Sequence, residues 1–186
     1  MSTVSKYFLD CGAHNGCSVR LFQHLCSDWR EYTIHCFEPN PMFRQCFGEF
    51  DNVLFHEAAV WSRDGMEPFF LSKSPKHHGS SLIRSKRTGM LDKENPITVR
   101  CLDFNRWIKE TIDRESYVIL KMDIEGAEYE VLESMIAGGS IDQIKLLYID
   151  FHYDKIGLEC AVHSRLVEEL QRRRIEICPW DAMTTL

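Results

Sequence analysis

Tyr7-Phe8-Leu9-Asp10-Cys11-Gly12-Ala13-His14-Asn15-Gly16 is the stretch that decides the fold. An apolar, strand-like run ends in an acid and passes into two glycines spaced for a tight turn, after which helical periodicity begins. In an open α/β sheet such a corner lies at the carboxyl ends of the strands, where backbone N–H groups at a helix start are free to meet a ligand. A dinucleotide fingerprint needs Gly-x-Gly-x-x-Gly to bring the backbone up to a pyrophosphate. Here His14 stands where the middle glycine should be, and Asp10 puts a carboxylate before the turn, which repels phosphate and suits an ammonium group. Asp-x-Gly-x-x-x-Gly therefore reads as a S-adenosylmethionine pocket rather than a nicotinamide one, against the plainer alternative of an ordinary glycine-containing turn.

Two further acidic strand ends join it. The run Tyr32–Glu38 stops at Phe37-Glu38-Pro39-Asn40-Pro41, because proline cannot continue a ladder. Glu38 then sits beside the glycine turn, where a carboxylate suits the two hydroxyls of a ribose. Tyr117-Val118-Ile119-Leu120-Lys121-Met122-Asp123-Ile124-Glu125-Gly126-Ala127-Glu128 is a buried-strand pattern leading into a helix over Ala127–Ala137, with Asp123 and Glu125 at the junction. A fifth buried run, Ile144–Phe151, leads to Asp150 and His152, which strand alternation points to one side, next to Asp123.

Between these landmarks the pattern predicts a helix over Gly16–Trp29, a helix over Met42–Phe50, a third strand Val53–Val60 and an extra strand Glu67–Ser72. It continues with a strand Ile97–Cys101, a helix Leu102–Thr111 with Trp107 in the core, a helix Glu159–Arg173 and a last strand Ile175–Cys178. Small Ala58 and Ala59 would leave room for a flat adenine ring. From Lys73 to Pro96 periodicity disappears, and a loop of that length in a compact domain is usually functional or disordered. Its tract His77-His78-Gly79-Ser80-Ser81-Leu82 could close over a ligand, the alternative being two simply solvated histidines, and Ser85-Lys86-Arg87-Thr88 could approach a polar substrate. Arg172-Arg173-Arg174 reads as the solvated face of a late helix.

At 186 residues, 44% hydrophobic and 27% charged, the chain suits one globular domain over residues 1–186. A net charge of −6 argues against nonspecific binding to nucleic acid, which draws its affinity from Lys and Arg. The 8 cysteines form no Cys-x-x-Cys pair, so no zinc or thioredoxin-type motif is indicated and reduced thiols are the default. No run approaches the roughly 20 apolar residues of a membrane span, and no apolar signal region precedes Tyr7. The expectation is a cytoplasmic protein of undetermined oligomeric state.

With these residues in place, the sequence resembles the FkbM-type S-adenosylmethionine-dependent methyltransferases. The matching elements are Phe-Leu-Asp-Cys-Gly-Ala-His-Asn-Gly, Phe-Glu-Pro-Asn-Pro, Ala-Ala-Val-Trp-Ser-Arg-Asp-Gly, Gly-Ser-Ser-Leu, Val-Arg-Cys-Leu-Asp, Lys-Met-Asp-Ile-Glu-Gly-Ala-Glu and Ile-Asp-Phe-His, in family order from Phe8 to His152. The resemblance implies an α/β Rossmann-like class I methyltransferase fold, a mostly parallel sheet with helices on both faces, and methyl transfer to oxygen, frequently of a sugar hydroxyl. The chain departs from the family in two ways. It has room for a single strand after its last helix, so the sheet of larger relatives is expected to be truncated at the C-terminal edge, as in a minimal enzyme or a domain of a longer polypeptide. It also carries Asp150 where family members usually have Glu.

The expected cofactor residues are Asp10, Gly12, Ala13, His14, Asn15, Gly16, Glu38, Pro39 and Ala59. Asp123 and His152 are candidates for the base, with Lys121 or Glu125 orienting the acceptor or holding Asp123 in place. The alternative makes Asp123, Asp150 and His152 ligands of Mg²⁺ or Mn²⁺, since carboxylates suit hard cations and an imidazole favours Mn²⁺. The partner expected is a small-molecule or glycan acceptor, with lipid, peptide or polyketide hydroxyls as runners-up. A nicotinamide-dependent oxidoreductase and a non-catalytic S-adenosylmethionine-binding protein are the rivals from other classes.

Overall fold

The structure, a computed structural model, describes residues 4–180. In chain order the strands are β1 (Lys6–Cys11), β2 (Tyr32–Phe37), β3 (Val53–His56), β4 (Ala59–Trp61), β5 (Gly65–Phe69), β6 (Ile97–Asp103), β7 (Tyr117–Met122), β8 (Ile144–Ile149) and β9 (Glu176–Pro179). The helices are α1 (Cys17–Leu25), α2 (Phe104–Thr111), α3 (Glu128–Gly138), α4 (Tyr153–Ile156) and α5 (Cys160–Arg172). Six strands form a parallel sheet in the order β3-β2-β1-β7-β8-β9. The chain leaves β1 toward β2 on one side, while β7 flanks it on the other, so the Gly12 turn lies at the point where the winding reverses. Ligands of such sheets bind in the crevice outside that point.

Side-chain alternation splits the core in two. Phe8, Ile34, Cys36 and Ile119 point to the face covered by α1 and the 3₁₀ turn Pro41–Phe47, where Val19 and Phe47 are buried. Leu9, Cys11, Val118, Leu120, Met122 and Leu147 point to the opposite face, packed by Ile108 of α2, Leu132 and Met135 of α3 and Leu170 of α5. Helices therefore cover both faces, as right-handed crossovers from strands advancing in opposite directions require. Each such side chain taken out of water contributes roughly 1.5–3 kcal/mol. Trp107 packs on this second core, stacked on Phe104 and edge-on to Phe37.

The expected elements differ in several boundaries. The strand predicted over Val53–Val60 is two strands. It breaks after His56, where Ala58 N donates to His56 O at 2.9 Å, because β2 ends at Phe37 and offers no further partner. Ala59–Trp61 instead pairs with β6, in a second, three-stranded sheet of order β4-β6-β5. The helix expected over Gly16–Trp29 ends at Leu25, since Cys26 is extended. The segment expected as a helix over Met42–Phe50 is a 3₁₀ turn, opened by Asn40, whose side chain accepts from Met42 N, and by Pro41. Helix α2 starts two residues later than expected, where Asp103 accepts from Arg106 N. One strand, β9, follows α5 in the sheet. Among the described residues no helix is long and apolar enough to cross a membrane.

Candidate active site

The corner after β1 depends on two glycines. Gly12 has φ +80°, and a Cβ there would lie 1.9 Å from Asp123 O, so the β1 turn and the end of β7 approach closely only because the side chain is missing. Gly12 N and Ala13 N both donate to Phe37 O, at 3.0 and 3.1 Å, and Asp123 N donates to Cys11 O at 3.1 Å. Three strand tips, those of β1, β2 and β7, are thereby pinned together. Gly16 (φ +81°) turns the chain into α1 against Phe50, and Asn15 Oδ1 accepts from Cys17 N at the helix start.

A pocket opens beyond these tips. Of the expected cofactor residues it is lined by Gly12, His14, Glu38, Pro39 and Ala59, and of the expected catalytic residues by Asp123 and Glu125. Asp10, Ala13, Asn15 and Gly16 do not line it. Asp10 is fully buried, accepts from Ser18 Oγ and faces Lys121 Nζ at 3.1 Å, so the ammonium group it meets is the protein's own. Lys121, expected to orient the acceptor, is buried and turned back beneath the turn, donating to Gly12 O at 2.8 Å and Cys11 O at 3.3 Å. An alternating strand pattern could not tell a lysine reaching the pocket from one pairing across to the next strand.

Glu38 stands at the tip of β2 with its carboxylate buried at the pocket wall. Its Oε2 accepts from His14 N at 3.0 Å and its Oε1 from Asn40 N at 2.8 Å. Burial pushes this acid up to about 7, against the pull of those two N–H groups. Asn40 also lines the pocket, 3% exposed, with an Nδ2 that has no partner. It lay in the Phe-Glu-Pro-Asn-Pro element, which the sequence marks only as a strand end; its Oδ1 also accepts from Met42 N at the start of the 3₁₀ turn.

The segment 73–96 is folded down rather than loose, tied by bridges between Phe70 and Ser81 and between Ser72 and Leu91. His77, His78, Gly79, Ser80 and Leu82 line the pocket. His14 Nε2 meets Lys76 O at 2.8 Å, and its ring stacks on His78 with 4.5 Å between centroids. Lys86 corrects the expectation that its basic run approaches a substrate. It is 1% exposed, with Nζ 2.7 Å from Glu125 Oε2 and donating to Gly79 O at 2.8 Å, so it fastens the loop to the end of β7. Arg173 likewise reaches Asp142 and Glu169, tying the end of α5 inward, while Arg172 stays on the solvated face.

His152, expected as a base, is 1% exposed and does not line the pocket. Its Nδ1 lies 3.0 Å from Glu128 Oε1, while Nε2 faces Asp150 Oδ2 at 3.2 Å, Glu125 Oε2 at 3.3 Å and Asp123 Oδ1 at 3.9 Å. Burial would lower its pKa, but the hydrogen bond to Glu128 and the surrounding carboxylates outweigh it and raise the imidazole to about 9. Such a group is charged at neutral pH and takes up no proton. Asp123 is raised by burial, and Glu125 is held low because His152 and Lys86 overcome its own burial. Glu128, fully buried at the start of α3, is the residue the sequence reading missed. It accepts from Ile124 N at 3.0 Å and Gly126 N at 2.9 Å as well as meeting His152. An acid in a first helical turn ordinarily needs no further explanation than the helix dipole, and its only signal was the last position of Lys-Met-Asp-Ile-Glu-Gly-Ala-Glu.

Compared with models of protein families, residues 10–176 match the methyltransferase FkbM domain. No curated protein and no solved structure was found to match the chain.

Proposed function

We propose that this chain, which belongs to the FkbM methyltransferase family, transfers the methyl group of S-adenosylmethionine to a hydroxyl oxygen of a sugar or glycan. The observation that carries this reading is the buried Glu38 carboxylate at the pocket wall. Two backbone N–H groups occupy part of its accepting capacity, and an ionised carboxylate has about four lone-pair sites, which leaves room for the two hydroxyls of a ribose. Asn40 Nδ2 adds a donor without a partner, and Ala59 offers a small surface for the adenine.

Bound by Glu38, the adenosyl group would have Asp123 and Glu125 of the same pocket lining to extend toward. The acceptor oxygen forms its bond to the methyl carbon as the sulfur–carbon bond breaks, and S-adenosylhomocysteine leaves with the bonding pair. Alignment does most of the work, because holding the two reactants at attack distance removes a large entropic part of the barrier. The acceptor proton passes to Asp123, whose carboxyl is raised by burial and is therefore a better base than an exposed aspartate. Glu125, held in place by Lys86, orients the acceptor, and His152 positions the carboxylates without touching the reacting atoms. His77 and Ser80 add polar side chains to the pocket lining, although Ser80 Oγ and His77 Nδ1 already bond within the loop, and this lining suits a polyhydroxylated acceptor better than a lipid or polyketide chain.

Radiolabelled methyl transfer to a panel of sugars, with wild type beside Asp123→Asn, tests the proposal. Labelled sugar from wild type is expected, with loss of transfer and retained S-adenosylhomocysteine binding in the variant. Tight product binding with no transfer to any hydroxylated acceptor would instead make the chain a non-catalytic binder.

A further inference from the structure

We propose that the cluster behind the pocket's polar end is a binding site for one divalent transition cation of the Mn²⁺ type, with His152 Nε2 and carboxylate oxygens of Asp123, Glu125 and Asp150 as its ligands. The inference rests on the function proposed above only for its purpose, since Asp123 and Glu125 also face the acceptor.

Four carboxylates lie within 3.9 Å of one imidazole, while Lys86 pairs with Glu125, Lys155 with Asp150, and Lys121 acts on Asp123 from beneath the turn. Acidic residues cluster on many surfaces without a ligand, but His152 is different. Its ring is almost wholly buried, and its Nε2 has no hydrogen-bond partner although it points into the carboxylate group. One oxygen each from Asp123 and Glu125 and a ring nitrogen of His152 lie within 4.8 Å of one another. Ligands about 2.1–2.2 Å from a common six-coordinate ion stand roughly 3 Å apart along a cis edge, close to the 3.2 and 3.3 Å separating Nε2 from Asp150 and Glu125.

The far nitrogen completes the argument. Nδ1 lies 3.0 Å from Glu128 Oε1, and Glu128 is itself fixed by the backbone N–H groups of Ile124 and Gly126. A buried carboxylate behind the imidazole is how proteins fix the tautomer and ring plane of a metal-bound histidine. One nitrogen with several carboxylates selects Mn²⁺ over Mg²⁺ or Ca²⁺, which prefer all-oxygen shells. Bound there, the ion would take the place of the Nε2 proton of the charged imidazole, releasing it to solvent, and would sit beside the acceptor hydroxyl and lower its pKa.

The test is a titration of the purified chain with MnCl₂, followed by the loss of the free-ion electron paramagnetic resonance signal, with S-adenosylhomocysteine binding measured separately by calorimetry. One saturable site is expected, with spin-echo modulation from a directly bonded ¹⁴N, and a tenfold or greater loss of affinity in Asp150→Asn and in His152→Ala. Asp150 is part-exposed, so its variant stays folded even where His152→Ala does not. Binding unchanged in Asp150→Asn, bound Mn²⁺ without nitrogen modulation, or no saturable site would each overturn the proposal. Product binding in the calorimeter stands or falls independently, so a missing cation site leaves the methyltransferase reading intact.

Discussion

Ligand affinity should depend on pH through Glu38. Its carboxyl, 6% exposed, is pushed up to about 7 by burial, so the ionised fraction climbs from about 0.09 at pH 6 to about 0.91 at pH 8. Only the carboxylate keeps oxygens free for both ribose hydroxyls, since His14 N and Asn40 N already use one lone pair on each oxygen. Affinity should therefore rise about tenfold over that range, or about 1.4 kcal/mol. Calorimetry with 5′-methylthioadenosine isolates the effect, because this ligand carries the adenine, ribose and sulfur without a titrating amino-acid tail. Glu38→Gln should bind about 10-fold or more weakly, the loss expected for hydrogen bonds to a charged acceptor, and should show a flat profile. Equal affinity at pH 6 and 8 in wild type, or the same slope retained in Glu38→Gln, would refute the reasoning; the latter would move the titration to a pocket histidine.

Three further outcomes are expected. Gly12→Ala combines a left-handed backbone with a Cβ placed 1.9 Å from Asp123 O; it should cost about 2 kcal/mol or more by urea denaturation and abolish ligand binding. Glu128→Ala leaves the charged His152 and two backbone N–H groups without their acceptor, and a loss of about 3 kcal/mol or more is expected from the same measurement. His35, buried against His56 with 2.9 Å between ring nitrogens, is held down to about 4 by burial, whereas an unfolded histidine titrates near 6.5. The unfolded chain therefore takes up the proton first, and stability that is full above pH 6.5 drains as pH falls toward 4, by on the order of 3 kcal/mol. Glu38, raised from 4.5, drives stability the other way, falling as pH rises to about 7, so the quantity to follow is the difference between wild type and His35→Phe, whose wild-type advantage should shrink in acid.

Most of the architecture was legible because parallel strands buried on both faces read as plain apolar runs, and those of β1, β2, β7 and β8 ended in or beside an acid that marked the same edge of the sheet. Asp150 and His152 were placed beside Asp123 by strand alternation and Glu125 by the strand-to-helix junction; they do gather, although β8 ends at Ile149 and Asp150 and His152 lie just beyond it. The break at Ala58 was not legible, since Val53–Val60 is a continuous β-pattern and only the missing partner beyond Phe37 splits it between two sheets. Partner choice was equally hidden. Asp10 and Lys121 look like site residues in sequence, yet they satisfy each other beneath the turn, and Lys86 is buried against Glu125 rather than offered to a substrate. Such pairings join residues far apart in the chain, and no local pattern encodes them.

A crystal structure with S-adenosylhomocysteine measures the central claim most directly. The ribose hydroxyls should rest on the Glu38 carboxylate and the sulfur should face Asp123, beside the Gly12 turn. A nucleoside held at another edge of the sheet, or turned so that its ribose leaves Glu38 untouched, would contradict the account.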